Sequence, residues 1–193
     1  LILCDIFLKK ANGYTILDHI RSRTIASDIP FILVTGEGDK GDIVKASDLG
    51  VTDYILKPIH PTMVKEKIIR SLTHYFSPSP FESKLREGDR LLQENQIQHA
   101  LQSYKEAVAQ NGAHIRARHC LAYALLLAGN IEESLRTIKI NIRQAPTFYK
   151  SYSLLVDIYL RTKDLKKAIE ALKKEVSFNP KKPARQVLLA RLL

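Results

Sequence analysis

The chain has 193 residues, of which 45% are hydrophobic and 26% are charged, and its formal net charge is +10. No run of about 20 apolar residues occurs, so we expect no membrane-spanning segment. No CxxC pair or histidine cluster indicates zinc. The two cysteines, Cys4 and Cys120, lie in separate apolar stretches, so we expect buried thiols and a cytoplasmic protein.

Three apolar runs in the first 60 residues each end in a polar residue. The terminal residues are Asp5, Thr35 and Lys57. The segments between these runs have helical spacing of apolar residues, as at Ile43 and Ala46. Strands that alternate with helices predict a parallel sheet. A third helix is predicted from Pro61 onward, and its apolar face comprises Met63, Val64, Ile68, Ile69 and Leu72.

The three polar residues suit phosphoryl chemistry. Ligands of open parallel sheets bind beyond the carboxyl ends of the strands, where these side chains would meet. Asp5 would be the nucleophile that accepts a phosphoryl group. Thr35 would hydrogen-bond a phosphoryl oxygen, and Lys57 would supply a positive point charge. An unrelated α/β domain with polar strand ends is the alternative.

This region resembles the receiver domain of bacterial response regulators. The matching pieces begin at Asp5, Val34 and Asp53, and they are Asp5-Ile6-Phe7-Leu8 with Gly13 downstream, Val34-Thr35-Gly36, and Asp53-Tyr54-Ile55-Leu56-Lys57-Pro58. The resemblance implies a flavodoxin-like parallel sheet with Asp5 as phosphoacceptor. It also implies that Tyr54 changes rotamer when Thr35 turns toward the phosphoryl group, and that the Lys57–Pro58 bond is cis.

The resemblance further implies a Mg²⁺ ion held by Asp5, the backbone carbonyl of Phe7 and an acidic pair from the first strand of the fold. The chain begins within the third strand of that pattern, so we expect an incomplete receiver that belongs to a longer protein and binds no Mg²⁺ by itself. An uncovered strand edge invites pairing with another chain. We therefore expect possible self-association, or disorder over residues 1–12.

A second domain follows a short proline-rich linker, residues 76–81. Beyond the linker, a comparison of the sequence with itself shifted by 34 residues shows a repeat. Small residues recur at Ala100, Ser134 and Ala168, and larger ones recur at Tyr104, Ile138 and Leu172. A helical bundle with coincidental periodicity is the alternative.

The repeated segment resembles tetratricopeptide repeats, in which helix pairs stack into an all-α solenoid. We predict a partial receiver over residues 1–75 and repeats over 82–193, with units at 82–114, 115–148 and 149–182 and a final helix at 183–193. The family implies that first helices line a concave surface for a protein partner. The candidate partner-binding residues are Leu85, Asp89, Arg116, His119, Tyr123, Lys150, Asp157 and Arg161.

Charge is unevenly divided between the two parts. Residues 1–80 contain 10 Lys+Arg and 9 Asp+Glu, which gives +1, whereas residues 81–193 contain 20 and 11, which gives +9. A basic solenoid could attract nucleic acid, anionic lipid or an acidic protein, although a solvated surface is the simpler interpretation. No dedicated DNA-binding module is evident.

These patterns favour a response regulator without enzymatic activity of its own. In this interpretation a sensor histidine kinase or a phosphotransfer protein phosphorylates Asp5, which controls protein binding by the repeats. One alternative is an adaptor that works without phosphorylation and uses the receiver as a scaffold. Another is a basic repeat domain that binds RNA.

Overall fold

The computed structural model describes residues 1–8, 11–21, 28–36, 49–179 and 183–193. Two compact units are present, Leu1–Arg86 and Glu87–Leu193. The elements of the first unit are β1 (Ile2–Asp5), α1 (Gly13–Arg21), β2 (Phe31–Thr35), β3 (Asp53–Leu56) and α2 (Pro61–Phe76). The strands form a parallel sheet in the order β1-β2-β3, which confirms the predicted sheet. The helix predicted around Ile43 and Ala46 lies outside the described residues.

The central strand β2 is buried along its whole length. Its side chains alternate between the two faces of the sheet. Phe31 and Leu33 pack with Leu17 of α1, whereas Ile32 and Val34 pack on the other face in a cluster completed by α2. Helices on both faces explain why a continuous apolar run, rather than an alternating one, forms this strand.

Helix α2 begins at Pro61, as the sequence predicts. Val64 and Ile68 pack against the sheet. The prediction that Ile69 belongs to the same apolar face is wrong, because its side chain is 53% exposed. Helical periodicity instead buries Ser71, which follows Val64 and Ile68 at the spacing of one helix face.

The predicted linker at 76–81 is too long. Phe76 is the last residue of α2, and the next helix begins at Pro80. Ser79 and Glu82 bond reciprocally: the amide and hydroxyl of Ser79 donate to the Glu82 carboxylate at 2.8 and 2.9 Å, and the Glu82 amide donates to the Ser79 hydroxyl at 3.2 Å. This capping box, followed by proline at the first helical position, starts the helix earlier than predicted.

The repeated segment is helical throughout its described part. The helices are α3 (Pro80–Gln93), α4 (Ile97–Gln110), α5 (Ile115–Leu127), α6 (Ile131–Gln144), α7 (Tyr149–Arg161), α8 (Leu165–Phe178) and α9 (Pro183–Leu192). Along the chain they form three consecutive helix pairs, α3/α4, α5/α6 and α7/α8, followed by α9. The predicted all-α repeat architecture is confirmed.

The recurring residues of the sequence are packing positions. Ala100, Ser134 and Ala168 are fully buried, where second helices pack closely in each pair. The Ser134 hydroxyl also donates to the Ala122 carbonyl at 2.6 Å. Gly88 on the first helix of the first pair also packs closely, because a Cβ atom there would lie 2.5 Å from the Tyr104 ring.

The last helix packs against the third pair. Leu188, Leu189 and Leu192 contact the buried cluster that contains Val156 and Leu172. These apolar side chains of the last helix are thus partly buried against the third pair. Among the described residues, no helix combines the length and apolar character needed to cross a membrane.

Candidate functional site

The parallel sheet places the three predicted polar residues at one edge. Asp5 ends β1 opposite Val34, and Thr35 ends β2 opposite Leu56. The Lys57 amide, just after β3, donates to the Thr35 carbonyl at 2.7 Å and extends the ladder. The carboxyl ends of the strands therefore present a carboxylate, a hydroxyl and an amine side by side.

Asp5 and Lys57 form an ion pair through Oδ2 and Nζ. The other carboxylate oxygen, Oδ1, accepts a hydrogen bond from the Phe7 amide at 3.0 Å. The hydrogen bond from Lys57, followed by that from Phe7, holds the pKa of Asp5 below its usual value. Asp5 is therefore ionised at neutral pH and remains partly exposed, as a nucleophile requires.

The other predicted site residues surround this pair. Thr35 is buried to 8% exposure, and its hydroxyl donates to the Gly36 carbonyl at 3.3 Å. Tyr54 packs against the core cluster on the α1 side of the sheet. The Lys57–Pro58 peptide is cis, as the family resemblance implies. The Phe7 ring is 74% exposed.

The start of α1 is fastened to the end of β1, a contact that the sequence analysis did not specify. The Gly13 amide donates to the Ile6 carbonyl at 2.9 Å. A Cβ atom on Gly13 would lie only 2.6 Å from the Asp5 carbonyl oxygen. The Asn12 side chain accepts from the Tyr14 amide at 2.8 Å, so the Asn-Gly pair was a readable start signal for the helix.

The metal-binding capacity of the described residues is small. No group of three or more His, Cys, Asp or Glu side chains lies together within the ranges that the structure describes. Asp5 and the Phe7 carbonyl offer oxygen ligands, the kind that Mg²⁺ prefers. These donors fit the ion in kind but supply only part of its coordination shell.

The comparison with protein families agrees with the resemblance of this site to a receiver domain. Residues 1–69 match the family model of the response regulator receiver domain. These residues are therefore similar to receiver domains. The chain is also similar to the Regulator of RpoS of Escherichia coli K12, with 34% identity over 95 residues that cover 49% of this chain and 26% of that protein.

The receiver is also similar to the chemotaxis protein CheY1 of Helicobacter pylori strain 26695. Identity is 34% over 67 residues, which cover 35% of this chain and 54% of that protein. The chain thus spans between about a quarter and about half of the length of the curated relatives it matches.

The helical part resembles solved tetratricopeptide-repeat domains. The Arabidopsis OM64 domain superposes with a TM-score of 0.55 at 19% identity and covers 58% of this chain and 93% of its own. The Sgt2 domain of Aspergillus fumigatus gives 0.55 at 20% identity, with 60% and 78% covered. These similarities show that the helices have the tetratricopeptide-repeat fold.

The first helices of the repeats carry the predicted partner-binding residues. Asp89 accepts hydrogen bonds from the Tyr104 hydroxyl at 2.7 Å and from Arg116 at 2.5 Å. Tyr123 is 40% exposed, and Arg161, at the end of α7, donates to the Leu126 carbonyl at 3.3 Å. Arg116 is therefore oriented by a carboxylate of the preceding repeat.

Of the predicted partner-binding residues, one is buried and another is partly buried. Leu85 is only 4% exposed and is a core residue. His119 packs edge-on against the Phe148 ring at 5.6 Å, and its Nδ1 atom is buried without a hydrogen-bond partner among the described residues. Burial, with Lys150 and Arg116 nearby, lowers the pKa of His119 to about 3. His119 is therefore neutral at pH 7 and partly buried.

The last repeats contain a charge network that the sequence analysis missed. Arg185 of α9 bonds Asp157 at 3.3 Å and Glu175 at 3.3 Å. Glu175 is 1% exposed and also accepts from the Ser153 hydroxyl. Asp157 thus contributes to helix packing as well as to the surface. No short-range sequence pattern joins residues this far apart along the chain.

Proposed function

We propose that Asp5 accepts a phosphoryl group and that its phosphorylation controls protein binding by the repeats. The donor is the phosphohistidine of a sensor histidine kinase or a phosphotransfer protein. An Asp5 carboxylate oxygen attacks phosphorus, the N–P bond breaks, and the imidazole leaves as an acyl phosphate forms. In this proposal the chain has no other catalytic activity and works in the cytoplasm.

The observation that carries the proposal is the pairing of Asp5 with Lys57 beside Thr35. Phosphoryl transfer depends chiefly on positioning and on stabilisation of charge. Lys57 lies where it can neutralise a new phosphoryl oxygen, and the Thr35 hydroxyl, bonded only weakly to Gly36 at 3.3 Å, can turn toward that oxygen. The ionised state of Asp5 supplies the nucleophile.

In the proposal Mg²⁺ assists this transfer by neutralising charge on the phosphoryl oxygens. Asp5 and the Phe7 carbonyl would contribute to its coordination. Mg²⁺ commonly uses one or two carboxylates together with phosphate and water, so further ligands are needed beyond those of the described residues.

The output would be binding of a protein segment along the first helices. For this surface we propose Arg116, Tyr123, Lys150, Asp157 and Arg161. Two similar solved domains support peptide binding as the role: the first repeat domain of Spaghetti (RPAP3) is bound to an HSP90 peptide, with a TM-score of 0.55 at 11% identity, and TPR2B of yeast Sti1 is in a pHsp70 complex.

An adaptor that works without phosphorylation is the second candidate. In that case the receiver would act as a scaffold, and the repeats alone would determine partner binding.

Intact mass after treatment with acetyl phosphate and Mg²⁺ distinguishes the two candidates. We would test this chain and, where the chain is part of a longer protein, that protein as well. Phosphoryl addition that disappears in Asp5→Asn but persists in Asp157→Asn supports the phosphoacceptor role. Absence of addition from every form would contradict it and favour the adaptor.

A further inference from the structure

The second helices of the three repeats carry lysine at one shared position. Lys105 in α4, Lys139 in α6 and Lys173 in α8 are separated by 34 residues. Each is the ninth residue of a 14-residue helix, and each is exposed. Because equivalent positions in stacked repeats follow the long axis of a solenoid, these residues form a line, which we call the lysine row.

More cations flank the lysine row. Arg136 and Arg143 lie three residues before and four residues after Lys139, so all three share one face of α6. Lys174 adjoins Lys173 on α8. These side chains are exposed. No hydrogen bond or ion pair joins them to any carboxylate in the part of the chain that the structure describes.

Charged residues on the first helices behave differently. Arg116 is paired with Asp89, and Arg185 with Asp157. The second helices also carry the exposed acidic residues Glu132, Glu133 and Glu170, so the cations without a bonded carboxylate are concentrated locally, around Lys139 and at Lys173 and Lys174. Glu175 does not offset these cations, because its carboxylate is buried and bonded to Arg185.

Helix stability alone does not account for this arrangement. A cation near the C-terminus of a helix complements the helix dipole, and such a cation could occupy any position in the last turn. The lysines instead recur at one position that precedes the last turn. The same surface also exposes an apolar side chain, Ile140, at 43%, next to Lys139 and between Arg136 and Arg143.

The aromatic residues argue against single-stranded nucleic acid as the ligand. Such ligands stack their bases on exposed aromatic rings. In α4, α6 and α8, Tyr104 is buried. The Phe178 ring is 39% exposed and packs at 5.5 Å from that of Tyr152, so these helices offer one exposed ring and no series of rings for successive bases. An isoleucine surrounded by arginine and lysine instead resembles the centre and rim of a protein interface.

We propose that the lysine row, with Ile140 beside it, docks an acidic segment of a partner protein that carries an apolar residue. Carboxylates of the segment would meet the cations, and its apolar side chain would cover Ile140. This surface lies on second helices, whereas the partner surface proposed above lies on first helices. It would thus be a second interface, and it does not depend on phosphorylation of Asp5.

The test uses a fluorescent peptide of Glu-Glu-Leu repeats and the whole chain, with binding followed by anisotropy. The variant Lys105→Gln/Lys139→Gln/Lys173→Gln is expected to weaken binding by about fivefold or more, because each exposed charge pair contributes modestly. Ile140→Ser should weaken binding as well. The affinity of the unmodified chain should fall with added salt.

The matched control removes three exposed cations elsewhere, in Lys65→Gln/Lys163→Gln/Arg191→Gln, and leaves the same net charge. Binding close to that of the unmodified chain supports the proposal. An equal loss in the control would show that only net charge matters and would overturn it. Tighter binding of a poly-uridine RNA, or of vesicles that contain phosphatidylserine, through the same lysines would overturn it too. Circular dichroism verifies that every variant remains helical.

Discussion

The amine of Lys67 in α2 lies 2.7 Å from the Oδ1 atom of Asp53 in β3. The same amine is 5.2 Å from the centre of the Tyr54 ring, and Arg70 binds the other Asp53 oxygen. Burial raises the pKa of Asp53, but the hydrogen bonds from Lys67 and Arg70 outweigh burial and hold that pKa below its usual value. The strand that carries the proposed switch residue is thus joined to α2 by charge.

Asp53→Asn should destabilise the receiver unit by about 1 to 3 kcal/mol, because two cations lose a carboxylate that is 9% exposed. The folded pKa of Asp53 is below the ordinary value of 3.8, so the unfolded state takes up its proton first. The contribution is therefore complete above about pH 4 and is lost as the pH falls through the folded pKa. Urea unfolding at pH 7 measures the change in free energy.

The control for this change is Glu66→Gln, since Glu66 is an exposed residue of the same helix. It should leave the free energy of unfolding within about 0.5 kcal/mol of the original. Equal effects of the two substitutions would show that the Asp53 pairs contribute nothing specific.

Gly13→Ala should disturb the site directly. The added Cβ atom would lie 2.6 Å from the Asp5 carbonyl oxygen, so β1 or α1 must shift. We expect a loss of about 1 to 3 kcal/mol in the free energy of unfolding and slower phosphorylation of Asp5. Gly36→Ala is the control, because a Cβ atom there meets nothing within 4 Å. If Gly13→Ala and Gly36→Ala have the same free energy of unfolding, the short distance between Gly13 and the Asp5 carbonyl does not exclude a side chain at position 13.

The polar site at the edge of the sheet could be predicted because it follows from short sequence patterns. Apolar runs set the strands, and each run stops where a polar side chain occurs. Parallel pairing then brings Asp5, Thr35 and Lys57 to one edge without knowledge of any tertiary distance. The repeat was equally accessible, because small residues such as Ala100 recur only where helices pack closely.

Other features depend on contacts between distant residues. The Glu175–Arg185 pair and the burial of His119 could not be predicted, because neither follows from periodicity within one helix. The apolar pattern also did not distinguish Ile68 from Ile69. One residue step rotates a helical side chain by about 100°, so Ile68 faces the sheet whereas Ile69 is exposed. The capping box at Ser79 was readable, but the adjacent prolines suggested a linker.

Gly88→Ala tests the repeat packing. Its Cβ atom would lie 2.5 Å from the Tyr104 ring, which is buried and bonded to Asp89. We expect a loss of about 1 to 3 kcal/mol in the stability of the repeat unit, measured by urea unfolding. Gly112→Ala is the control, because its nearest contact would be at 3.4 Å. A stable Gly88→Ala variant would mean that Tyr104 can move without cost.

The stability of the repeat unit should fall in mild acid because of His119. Burial first, then Lys150 and Arg116, lowers the folded pKa of His119 to about 3 from an ordinary value of 6.5. Between pH 6.5 and about 3, His119 is therefore protonated in the unfolded chain but neutral in the folded chain. The contribution is complete above pH 6.5 and declines by up to about 1.4 kcal/mol for each pH unit toward pH 3.

Urea unfolding of the chain and of His119→Gln at several pH values isolates this contribution. Glutamine does not titrate, so the variant should lose less stability than the original chain between pH 6.5 and about 3. The matched control is His99→Gln, which removes an exposed histidine from the same unit. Parallel curves for the original chain and His119→Gln would show that His119 can take up a proton in the folded state, and that the helices open around it in acid.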